Sequence, residues 1–195
     1  EYITMPIERV YDGKGMDAKT LAAIESDAKN VEKSVAALQE TGDKSLFKEV
    51  TKTDKDGNKT TGYDTDAIYK AVKDFTDSYN SLLDEVGDSN TKSILRAGAS
   101  MVSVTEANRR SLSDIGISIG ADNKLTIDEE KFKKADMGKV KTMFADNSYY
   151  GTEVKRQASR AESYAKSETA KANTYQKSGS YTYNYRTGEL YNSKI

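Results

Sequence analysis

The sequence predicts a mainly α fold, a helical bundle of coiled-coil-like hairpins with small β-hairpins set between the helices. Three observations predict it. Apolar residues recur in alternating steps of three and four along several stretches, the heptad seam of a helix that packs against another. Gly42 and Gly87 stand where two of these stretches end. Only 36% of the 195 residues are hydrophobic and 31% are charged. That composition suits long, partly solvated elements better than a thick core, because a helix in a hairpin buries one stripe only.

Residues 1–15 carry Pro6, Gly13 and Gly15 and read as an irregular lead-in. A helical core with β-hairpin insertions is expected over 16–145. Its first helix runs from about Asp17, a plausible N-cap, to Glu40. Leu21, Ile24, Ala28, Val31, Val35 and Leu38 form its seam, and Gly42 should terminate it at a C′-type position. Residues 46–63 switch to strand-like composition around Asp56-Gly57, which reads as a β-hairpin. The next helix, Thr65 to Val86, has the seam Ile68, Val72, Phe75, Tyr79, Leu82 and Val86, and should pack on the first as its antiparallel neighbour. A third helix is expected from Asn90 to Leu112, with Ile94, Met101 and Leu112 near one stripe. Gly98 and Ala99 sit where another helix could approach closely.

The stretch 113–145 reads as a small mixed patch. Ile115–Ile119 and Lys124–Ile127 flank the turn residues Ala121-Asp122-Asn123. Thr126 and Glu129 have capping-box spacing, which predicts a short helix from near Asp128 through Phe132. Val140, Met143 and Phe144 suggest one further turn. A C-terminal coiled-coil-like helix is expected over 152–175, with Val154, Ala158, Ala161, Ala165, Glu168, Ala172 and Tyr175 in heptad register. Alanine buries little area, so this helix should be weakly held unless a partner packs on it. Residues 176–195 read as a tyrosine-rich hairpin tail. Tyr181, Tyr183 and Tyr185 share one strand face and Tyr191 lies on the return. The candidate partner-binding residues are therefore Val154, Ala158, Ala161, Ala165, Tyr175, Tyr181, Tyr183, Tyr185 and Tyr191.

The absences argue against chemistry. The chain has no His and no Cys, which removes the commonest general base, thiolate nucleophiles and the commonest ligands of transition metals. The segment Asp54 to Asn58 has the flavour of a calcium loop, but Lys59 stands at the glycine position and Thr65 at the twelfth, where a bidentate Glu is needed. The pairing of Asp128 with Glu129 and Glu130 lies among lysines and reads as a solvated helix face, not a catalytic dyad. The expectation is a non-enzymatic chain with no cofactor and no metal. Thirty basic and 31 acidic residues nearly cancel, so nothing marks a nucleic-acid surface. No run is long and apolar enough to span a membrane. The chain starts at Glu1 and shows no signal-peptide h-region, so an export segment would have to lie upstream.

Four segments, in order, resemble the C-terminal half of the flagellar capping protein family, also called hook-associated protein 2. They are Phe75 to Leu83 with its Tyr79-Asn80; Gly87-Asp88-Ser89 followed by Ile94-Leu95-Arg96; Ser111 to Ile117 with its Ile115-Gly116-Ile117; and Leu125-Thr126-Ile127-Asp128 followed by Phe132, Val140, Met143 and Phe144. The resemblance spans about 67–144. Large β-rich domains precede this region in the family and none fits here, so the likeness implies a shortened relative. It also implies a structural component of a bacterial flagellum or related surface assembly. Such a component sits outside the cell and packs its helices on protein subunits, either copies of itself in an oligomer or flagellar axial proteins. The tyrosines leave an alternative, a secreted or surface binding module whose hairpin contacts glycan or protein.

Overall fold

A computed structural model describes residues 17–53 and 55–172. Helix α1 covers Ala18–Leu38. Asp17 caps it in extended conformation and accepts a hydrogen bond from the Lys19 N–H at 3.3 Å. Its six seam residues are all buried, from Leu21 to Leu38. The helix stops earlier than expected. The Gln39 N–H closes the last turn onto the Val35 and Ala36 carbonyls, so no left-handed residue is needed there. Gly42 does have a positive φ of 63°, but it opens a short 3-10 turn, Gly42–Lys44, instead of capping α1.

Phe47, 4% exposed, anchors the chain before the first hairpin. Strands β1 (Glu49–Thr53) and β2 (Lys59–Tyr63) pair antiparallel, with Glu49 opposite Tyr63 and Thr53 opposite Lys59. Gly57, at φ 85°, lies in the turn between them. Apart from half-buried residues at its base, the hairpin is exposed.

Helix α2 covers Thr65–Gly87 and is capped by Asp64 through the Ala67 N–H. All six of its predicted seam residues are buried, joined by Thr76 and Leu83. Helix α1 packs against α2, as the two seams predict. The third predicted helix is instead two, α3 (Lys92–Ala107) and α4 (Arg109–Asp114). Asn108 divides them. Its side-chain amide donates to the Val104 carbonyl at 2.8 Å, a local bond that competes with helix continuation. Gly98 is buried on α3 where α2 approaches; a Cβ there would lie 2.4 Å from Val86 Cγ1. Only a residue without a side chain permits that approach.

The mixed patch follows. Strands β3 (Ile117–Ile119) and β4 (Leu125–Ile127) pair antiparallel. Helices α5 (Glu129–Lys134) and α6 (Met137–Phe144) come next. The cap of α5 is Asp128, which accepts the Lys131 N–H at 2.9 Å; Thr126 does not cap it, because it is still within β4. Asp136 caps α6 in the same manner through Gly138.

Helix α7 covers Tyr149–Ala172 and so starts a turn earlier than expected. It runs antiparallel to α1: Gln39 meets Thr152 at 3.0 Å, Lys29 meets Glu162 at 3.7 Å, and the Thr169 hydroxyl donates to Glu25 at 3.2 Å. Its opposite flank packs on α3. Helices α2, α1, α7 and α3 thus form the bundle. Phe75, Phe144 and Tyr150 stack edge-on at its centre, with ring centroids 5.2–6.0 Å apart.

Candidate functional site

The quoted family-like residues have definite structural work. Tyr79 is fully buried. Burial pushes its hydroxyl up to about 12, so the group stays protonated. Its neighbour Asn80 turns the other way and grips β4. The Asn80 amide donates to the Leu125 carbonyl and its carbonyl accepts the Leu125 N–H, both at 2.8 Å. The side chain thereby mimics a neighbouring strand and satisfies both backbone groups of Leu125. Gly116 has φ 84°, and a Cβ there would sit 2.9 Å from the Phe132 nitrogen. The Asp128 N–H also bonds the Gly116 carbonyl at 2.9 Å. Glycine at this position lets the chain between α4 and β3 turn close against the first turn of α5. Two ion pairs, Lys124–Asp84 at 2.8 Å and Lys133–Asp66 at 2.7 Å, also bridge the patch to α2. They are solvent-exposed and contribute little compared with the Asn80 clamp.

Val154, Ala158, Ala161 and Ala165 lie inside the chain's own core, each no more than 2% exposed. From Val154 to Ala165 the heptad register is as predicted, but the predicted opening is not. Small side chains let α1 and α3 come close, so the stripe is already covered and is not a free docking face. Tyr175, Tyr181, Tyr183, Tyr185 and Tyr191 lie outside the described residues, as does the 1–15 lead-in.

The solvent face of α7 carries the residues that sequence reasoning missed. Tyr149 is 68% exposed and Tyr164 39% exposed, and Arg156 and Arg160 between them are also exposed. At 100° per residue, Tyr149, Arg156, Arg160 and Tyr164 fall within an arc of about 80°, and the stripe is about 22 Å long. Arg156 pairs with Glu153 at 2.6 Å. The available signal was the doublet Tyr149-Tyr150: on a helix adjacent residues diverge, so Tyr150 enters the core and Tyr149 leaves it.

The acidic residues near α5 make no catalytic constellation. Asp128 is engaged as a cap, Glu129 pairs with Lys133 at 2.6 Å and Glu130 with Lys134 at 3.7 Å. Among the described residues no group of His, Cys, Asp and Glu has the arrangement to hold a metal ion, and no helix is long and apolar enough to cross a membrane.

This geometry defines a class: a helical-bundle protein with a small β-containing patch locked to one flank by side-chain-to-backbone bonds. The family model for the flagellar hook-associated protein 2 C-terminus matches residues 86–194, more than half of the chain. The chain belongs to that family, which is structural and flagellar. The match contains three of the four segments quoted above; Phe75–Leu83 precedes it. It continues through α7 into the tyrosine-rich tail. Searches of curated proteins and of solved structures returned no significant match.

Proposed function

We propose that this chain is a non-enzymatic subunit of the external part of a bacterial flagellum, related to the filament-capping protein, and that it acts by packing on neighbouring protein subunits. The observation that carries the reading is the family match over 86–194. The contact we assign has two parts. One is the outer stripe of α7 with Tyr149, Arg156, Arg160 and Tyr164. The other is the tail with Tyr175, Tyr181, Tyr183, Tyr185 and Tyr191. Tyr and Arg are the side chains that most often anchor protein interfaces, because they bury much area at modest entropic cost and keep polar tips. The family match runs through the tail to residue 194, which favours tail and helix acting as one region over a separate glycan-binding module.

The test substitutes the outer stripe in the full chain, Tyr149→Ser with Tyr164→Ser. Sedimentation of the purified protein and its retention on isolated flagellar filaments are then compared with wild type. Loss of self-association or of filament retention, with an unchanged circular dichroism spectrum, is the expected result. A second variant with Tyr181, Tyr183 and Tyr185 replaced by serine examines the tail in the same assays. Full retention of assembly by both variants would refute the assignment.

A further inference from the structure

The α1–α7 seam has an acidic edge that its packing does not require. In the heptad register of α1, the positions just after the seam residues Ile24, Val31 and Leu38 are Glu25, Glu32 and Gln39. The equivalent positions of α7 are Lys155, Glu162 and Thr169. In an antiparallel pair these edges run side by side. The observed contact of Glu25 with Thr169, and that of Gln39 with Thr152, fix the register at both ends. Midway between them Glu32 faces Glu162. Glu162 is only 8% exposed. Glu32 Oε1 is buried without a hydrogen-bond partner, and Glu162 is the acidic neighbour that acts on it. Two facing carboxylates repel when both are charged; one shared proton turns the repulsion into a charge-assisted hydrogen bond.

We propose that Glu32 and Glu162 form a one-proton carboxyl–carboxylate clasp across the α1–α7 seam, which grips α7 while the proton is shared and loosens it when the proton leaves. The inference rests on the seat of α7 against α1 and does not depend on the flagellar reading. Within the clasp Glu32 is the side that keeps the proton longer as pH rises. Burial first, and then the neighbouring Glu162, raise its carboxyl above the usual range. Burial pushes Glu162 up too, but Lys166, Lys29 and the Glu32 hydrogen bond outweigh it and hold Glu162 below that range. Lys166 lies 2.5 Å from Glu162 and Lys29 lies 3.7 Å away. Lys155 also acts on Glu32. Helix α2 meets α1 along the other edge, where Asp27 lies near Glu85. Helix α3 meets α7 where Thr105 and Tyr150 exchange a hydroxyl bond at 3.2 Å. The charges that bear on the clasp are therefore those of α1 and α7.

The sign follows from linkage. A carboxyl raised in the folded state contributes stability that is fully present below its unfolded value and is lost as pH rises through its folded value. Deprotonation of Glu32 on raising the pH should thus weaken the seam. The test is a carbon-detected NMR titration of the side-chain carboxyls in the full chain. Glu32 should titrate above the ordinary glutamate range, and Glu162→Gln should move it downward. Thermal melting supplies a second readout. Glu32→Gln keeps a donor facing Glu162 but cannot ionise, so its melting temperature should gain on wild type as pH rises through the Glu32 midpoint. An ordinary Glu32 midpoint, or one unmoved by Glu162→Gln, would overturn the clasp. So would a melting difference between wild type and Glu32→Gln that stays constant with pH.

Discussion

Helices α2 and α7 keep the same heptad register in the same bundle and hold their places differently. Helix α2 fills its seam with Ile68, Val72, Phe75, Tyr79, Leu82 and Val86, all essentially inaccessible. Each large apolar side chain contributes about 1.5–3 kcal/mol on burial. Helix α7 fills its seam with one valine and three alanines that are just as inaccessible. It gains less apolar area per residue. Close approach to α1 and α3 makes up part of the difference, together with a polar edge that includes Glu162, Lys166 and Thr169. A seam poor in volume is therefore not a seam left open. Register says which residues face inward, and side-chain size says how near the neighbour must come.

The comparison can be broken at its strong end first. Phe75→Ala removes a ring that meets Tyr79, Phe144 and Tyr150 at 5.2–6.1 Å. It should cost about 3–5 kcal/mol by urea denaturation. On α7 the informative change adds volume. Ala158 is 0% exposed, and Ala158→Leu should destabilise by about 1–3 kcal/mol because the space is already filled. A stabilising Ala158→Leu would mean that α7 sits loosely. The clamp between α2 and the patch comes next. Asn80→Leu strips both partners from the Leu125 backbone and should cost roughly 1–2 kcal/mol, with faster amide exchange at Leu125 as the site-specific sign. The smallest effect belongs to the exposed first hairpin. Thr61, whose hydroxyl lies 3.3 Å from that of Thr51, should tolerate Thr61→Ala within about 0.5 kcal/mol in the same denaturation assay.

Periodicity read the buried seams of α1 and α2 to the residue, and their ends to within two residues, since a bundle core obeys a local repeat that the sequence displays. Both hairpins were legible for the same reason, from short β-prone runs flanking turn residues such as Asp56-Gly57 and Asp122-Asn123. The division of α3 from α4 was not. It depends on the Asn108 side chain choosing the Val104 carbonyl, and Asn in a helical pattern is ordinarily only a weak breaker. The cap of α5 was misplaced by two residues because both Thr126 and Asp128 are good N-caps, and strand pairing claims Thr126. The family-like segments were visible as strings, but the purpose of Asn80 and Gly116 required contacts across 45 and 16 residues of chain. The candidate assembly surface was the least legible part. The apolar stripe of α7 drew attention to its inner face, whereas the outer Tyr149 and Tyr164 follow no repeat that binary patterning detects.

The central claim is that α7 is seated in its own chain, leaving its outer face for partners. Because the chain contains no cysteine, a single engineered pair reports on this without background. Gln39→Cys with Thr152→Cys places one thiol on each helix where the Gln39 amide now reaches the Thr152 hydroxyl at 3.0 Å, and a short bis-maleimide spans the gap that the shorter cysteine side chain leaves. In dilute solution, the account predicts an intramolecular cross-link and a compact monomer band that migrates ahead of the untreated chain. Cross-linked dimers as the main product would show that α7 belongs to another subunit and would contradict the account.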